Sequence, residues 1–119
     1  MKIIAHGGYS AKYKENTLRS YLEAIKLLPD VLEIDLCLSS DGIVLCTHSK
    51  TAREKYGVDV ENLNYESFKD LIDENGDILI SRFEDIIEKI NTFKGKLMFD
   101  LKQDSLGLVD KALEIVKLK

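Results

Sequence analysis

VLEIDLCL, residues 31–38, is an apolar run broken by two carboxylates. Its length and aliphatic content predict a strand. Side chains alternate along a strand, so Glu33 and Asp35 share one face. Two adjacent carboxylates repel each other, and burying either without a partner is costly. A divalent cation removes both penalties, because carboxylate oxygens are its natural ligands. The alternative is an edge strand with both acids turned to solvent.

The flanking sequence extends the pattern. KIIAH (2–6) reads as a buried strand that stops at His6, and Gly7 and Gly8 follow at once. Residues 16–28 carry Leu18, Tyr21, Leu22, Ile25 and Leu28 at helical spacing, with Asn16 or Thr17 as the cap. Pro29-Asp30 ends that helix. SSDG (39–42) is a turn, and IVLCTH (43–48) continues extended to His48. Residues 50–62 read as a charged loop, and Phe68, Leu71 and Ile72 predict a helix over 65–74. DILIS (77–81) reads as a short extended piece. Ser81 and Glu84 form the pattern of a capping box, opening a helix to residue 93. KLMFDLK (96–102) is a strand, and Ser105 caps a last helix. The alternation of strands and helices predicts a parallel α/β architecture.

The polar residues in those strands carry the functional reading. Asp100 and Lys102 share a face, as Glu33 and Asp35 do, and His6 and His48 each end an extended run. All six fall near carboxyl ends of strands, where parallel α/β folds bind ligands. Singly, each has a plain structural reading: a histidine at a strand end, or a Lys102–Asp100 ion pair. The joint pattern is what points to a site.

Composition sets the outer bounds. The chain has 119 residues, 45% of them hydrophobic, which suits a single domain spanning 1–119 with a modest core. A net charge of −4 with mixed signs argues against a nucleic-acid partner. No apolar run approaches the roughly 20 residues of a membrane span. The first residues do not read as a signal peptide. Cys37 and Cys46 read as small buried thiols, so a reducing cytoplasm is the expected compartment.

Taken in order, these motifs resemble the glycerophosphodiester phosphodiesterase family. The matching pieces are His6-Gly7-Gly8, Lys14-Glu15-Asn16-Thr17-Leu18, Glu33-Ile34-Asp35, Asp41-Gly42, His48, Arg53 and Asp100-Leu101-Lys102. The resemblance implies a (β/α)8 barrel of the TIM type, here as about four βα units. It also implies metal-dependent hydrolysis of glycerophosphodiesters to an alcohol and glycerol 3-phosphate. Carried over, Glu33, Asp35 and Asp100 would hold Mg²⁺ or Ca²⁺, and His6 and His48 would be the acid/base pair. Lys102 would face the phosphate, and Glu15 would help order the substrate side of the site.

Four features depart from the family pattern. Gly7 replaces an arginine that would fork onto phosphate. Ser49 replaces an aspartate. Asp100 is one methylene shorter than the usual glutamate. The chain is about half of a full barrel, which runs to roughly 250 residues. Half a barrel has open sheet edges, and those invite pairing. A fragment of a longer enzyme, a homodimer closing the barrel, and a degenerate relative acting as a binding or assembly module are the three expectations.

Overall fold

A computed structural model of the chain describes residues 2–101 and 106–117. The expectations for Lys102 and Ser105 fall outside those residues. The elements are β1 (Ile4–His6), α1 (Leu18–Ile25), β2 (Val31–Leu38), β3 (Val44–Cys46), α2 (Ser49–Tyr56), β4 (Ser81–Arg82), α3 (Phe83–Lys89), β5 (Lys96–Leu101) and α4 (Leu106–Lys117). The chain is mixed α/β with an unclosed sheet, the partial barrel that the sequence predicts.

β2 is the axis of the sheet. β1 runs parallel to it, pairing Ile4 with Val31 and His6 with Glu33. β5 runs parallel on its other side, from Val31–Lys96 to Leu36–Leu101, and sets Asp35 opposite Asp100. Beyond the β1 pairing, β2 continues into a hairpin. The 39–42 turn sends β3 back antiparallel, with Leu38 opposite Val44 and Leu36 opposite Cys46. β4 adds antiparallel to β3. The expected all-parallel order is therefore corrected for residues 43–48: a four-residue turn cannot make a parallel crossover, which needs a dozen or more residues.

Alternation along β2 divides its two faces. Leu32, Ile34 and Leu36 enter one core with Tyr21 and Ala24 of α1 and Phe83 and Ile86 of α3. Cys37 joins a second core with Leu45, Ala52, Val60, Phe68 and Ile80. Glu33 and Asp35 are left on the face away from α1 and α3.

Several local expectations change. Residues 49–56 form α2 rather than a loop, capped by His48 and closed by Gly57 in the left-handed region. Only Ala52 of that helix is buried, so no apolar stripe announces it. The expected helix over 65–74 is a short 3-10 turn, Tyr65–Ser67, followed by a bridge between Ile72 and Ile78. Phe68 is buried all the same. Ser81 lies in β4, and α3 has no side-chain cap, so the capping box does not form. Arg82 instead grips Asp85 through two nitrogens, at 2.9 and 3.0 Å.

β1 is not the buried strand expected. Ile3 and Ile4 are 57% and 41% exposed. β1 and β5 each pair only with β2 among the described residues, so both are edges. No described helix is long and apolar enough to cross a membrane.

Cys37 and Cys46 are free thiols with no exposed surface. Burial pushes the Cys37 thiol up to about 12 and the Cys46 thiol well above its ordinary value. Since thiolate is the reactive form, neither cysteine should react with a disulfide reagent in the native protein. Both should titrate once denaturant unfolds the chain, in a spectrophotometric thiol count made before and after.

Candidate metal and histidine site

The parallel pairing β1–β2–β5 brings the polar residues to one place. An oxygen from each of Glu33, Asp35 and Asp100 lies within 4.8 Å of the other two. The shorter Asp100 side chain therefore reaches the cluster, because register already places it opposite Asp35. Asp35 is only 7% exposed. Burial raises its pKa, and Glu33 and Asp100 raise it further. A hydrogen bond from Asn16 and the nearby His48 pull it back down.

The histidines reach the cluster by different routes. His6 stands beside Glu33 in the sheet, with Nδ1 3.0 Å from Glu33 Oε2. An ionised carboxylate only accepts, so Nδ1 carries the hydrogen, and in the neutral imidazole Nε2 keeps its lone pair. His48 arrives through the hairpin, because the antiparallel return of β3 carries it back toward the level of Asp35. Its Nδ1 accepts the Lys50 backbone N–H at 3.2 Å, capping α2. Neutral His48 therefore holds its hydrogen on Nε2.

Two glycines make this packing possible. Gly7 and Gly8 have φ of +64° and +89°. A Cβ on Gly8 would lie 2.6 Å from the Ser20 carbonyl carbon. The turn is stitched to α1 through Ser20 Oγ, which donates to the Gly7 carbonyl at 3.0 Å. Glu15, beyond this turn, accepts from Thr51 Oγ1 at 3.1 Å and so joins the turn to α2. It stands outside the carboxylate cluster.

Comparisons with known proteins bear on the family and the fold. The sequence model of the glycerophosphoryl diester phosphodiesterase family matches residues 6–115. This chain belongs to that family. It is 26% identical over 109 residues to a glycerophosphodiester phosphodiesterase of Bacillus altitudinis, covering 85% of this chain and 44% of the relative. A glycerophosphodiester phosphodiesterase structure from Thermotoga maritima superposes with a TM-score of 0.80 at 29% identity, covering all of this chain and 51% of that one. A phosphodiesterase from Oleispira antarctica, solved with its product sn-glycerol-3-phosphate, gives a TM-score of 0.82 at 26% identity, covering 98% of this chain and 52% of that one. The chain thus spans about half the length of the relatives it matches.

Of the family-pattern residues, His6, Glu33, Asp35 and Asp100 come together, and His48 is near enough to Asp35 to lower its pKa. Lys102 lies outside the described residues. Sequence reasoning gave Asn16 only a capping role, yet Thr17 is the cap and Asn16 reaches Asp35. The signal was its place between Glu15 and Thr17 in the family segment, where one cap already suffices.

Replacing Gly8 by alanine should destabilise the fold by about 2–4 kcal/mol, combining left-handed strain with overpacking. Urea unfolding of Gly8→Ala against wild type checks this.

Proposed function

We propose that this chain carries the metal-binding and proton-transfer residues of a glycerophosphodiester phosphodiesterase. The reaction is hydrolysis of a glycerophosphodiester to an alcohol and glycerol 3-phosphate. The observation that carries the proposal is the convergence of Glu33, Asp35 and Asp100, with oxygens within 4.8 Å, beside His6. The product named with the Oleispira antarctica relative supports the substrate class.

Three carboxylates at this spacing suit a hard divalent ion, so Glu33, Asp35 and Asp100 would hold Mg²⁺ or Ca²⁺. When bound, such an ion neutralises phosphate charge and acidifies a glycerol hydroxyl. The remaining roles fall to the protein. His6 Nε2 takes the proton of the glycerol hydroxyl as its oxygen bonds to phosphorus. The bond from phosphorus to the alcohol oxygen breaks, and that oxygen takes a proton from Nε2 of His48 in its imidazolium form. That form carries a hydrogen on Nδ1 as well, gives up the Lys50 N–H bond while so charged, and returns to neutral imidazole. Water then opens the resulting cyclic phosphate to glycerol 3-phosphate. Lys102 adds positive charge beside the phosphate. Glu15, held by Thr51, shapes the substrate side. The buried free cysteines support a cytoplasmic setting.

The open edges of β1 and β5 give self-association a physical basis. A second copy, related by a two-fold along the barrel axis, would set β1 against the partner subunit's β5 in parallel. Turnover should then follow the dimer. Sedimentation velocity and specific activity measured over one dilution series should fall together; a monomer of constant specific activity contradicts the homodimer.

Gly7 favours a second reading, a binding or assembly module without turnover. It supplies no guanidinium, and a Cβ there would stand 3.0 Å from Glu15 Cβ at a left-handed φ. Restoring arginine therefore carries a backbone cost of about 1–2 kcal/mol.

The test is hydrolysis of glycerophosphocholine with Mg²⁺, Ca²⁺ or EDTA. The variant is His48→Asn, because asparagine keeps the helix cap and loses the proton transfer. Metal-dependent turnover, reduced at least ~100-fold in the variant, is expected. Turnover indifferent to EDTA or to the variant overturns the catalytic assignment. Folded protein that binds the ion without turnover selects the module.

A further inference from the structure

We infer that Tyr21 and Asn16 form a positioning relay that holds one oxygen of Asp35 and leaves the other turned to a cation. The inference rests on reading Glu33, Asp35 and Asp100 as a metal site. Asn16 is 1% exposed and has φ of +62°, a region that asparagine tolerates better than most residues. Its Nδ2 donates to Asp35 Oδ2 at 2.9 Å. Its Oδ1 accepts twice: from the Asp35 backbone N–H at 3.1 Å and from the Tyr21 hydroxyl.

Those two bonds fill the lone pairs of the amide oxygen. The amide can then take only one orientation, with its N–H toward the carboxylate. A flip would break both bonds and set an oxygen against Asp35. Tyr21 is fully buried in the core under β2, so the hydroxyl that completes the arrangement cannot wander. The Asn16 backbone N–H is tied as well, donating to the Gly7 carbonyl at 2.8 Å, while the Gly7 N–H donates to the Glu33 carbonyl at 3.0 Å. One buried residue therefore couples α1, the glycine turn and β2 at the carboxylate that most needs a partner, through its side chain to Tyr21 and Asp35 and its backbone to Gly7. Neither residue faces substrate, so both are positioning residues.

The test measures Mn²⁺ binding to the full chain by calorimetry, for wild type, Glu33→Gln, Tyr21→Phe and Asn16→Asp. Tyr21→Phe removes one hydroxyl and keeps the core filled. Asn16→Asp keeps shape and backbone preference but turns a donor into an acceptor. Outer-shell partners of metal ligands are worth about 10–100-fold in affinity. The expected result is saturable wild-type binding, lost in Glu33→Gln and weakened at least ~10-fold in both relay variants. A smaller loss in both relay variants overturns the relay while sparing the metal site. A fall in metal-free Tm without that loss of affinity assigns a merely structural role and also overturns it. Absence of saturable wild-type binding, or binding untouched by Glu33→Gln, overturns the metal site and the relay together.

Discussion

Asp35 is a carboxylate held almost out of water beside two others, and the surrounding structure is arranged around that constraint. Burial and its acidic neighbours raise its pKa above the ordinary 3.8. A carboxyl with a raised folded-state pKa supports the fold while protonated, below the unfolded value, and that support is lost as pH rises through the folded pKa. At neutral pH the metal-free protein therefore carries a cost at this position. Asn16 offsets part of it with a donated hydrogen bond, and a divalent cation would offset more. Such a conflict between charge and burial is typical of sites kept for function rather than stability.

The second organising feature is the double use of β2. Its first half is a barrel strand between β1 and β5, and its second half is one arm of a hairpin. The hairpin lets the strand run past the mouth and bring His48 back to it without a crossover helix. That return also makes His48 a helix cap, which settles which of its nitrogens faces outward. His6 is settled instead by Glu33. Two histidines that look alike in the sequence thus acquire opposite hydrogen placements from their neighbours.

Much of this was legible in the sequence because it rests on short-range pattern. β2 matched residues 31–38 to the residue, since its apolar run is bounded by Pro29-Asp30 and the SSDG turn. The carboxylate pair was visible because period-two alternation needs no knowledge of partners. Asp100 was placed by the same reasoning on a separate strand. What failed was whatever depended on tertiary context. α2 has one buried residue, so its helix rests on caps rather than a stripe. The 65–74 segment has helical spacing, but Phe68 is claimed by the second core while Ile72 pairs across a turn. Ile3 and Ile4 look like core residues and face an edge. Asn16 was hidden because a capping residue and a buried amide donor look the same in one sequence.

β1 and β5 are edges among the described residues, and the relatives are about twice as long as this chain. The chain holds the carboxylates and both histidines, with Asp35 buried and His6 exposed beside Glu33. How dry the site is sets the strength of every electrostatic contact in it. The claim on which all else rests is that the three carboxylates bind one ion. Anomalous diffraction from crystals grown with Mn²⁺ tests it most directly. The expected result is a single strong peak ligated by Glu33, Asp35 and Asp100, at about 2–2.6 Å from their oxygens. A peak elsewhere, or none at saturating Mn²⁺, would contradict it.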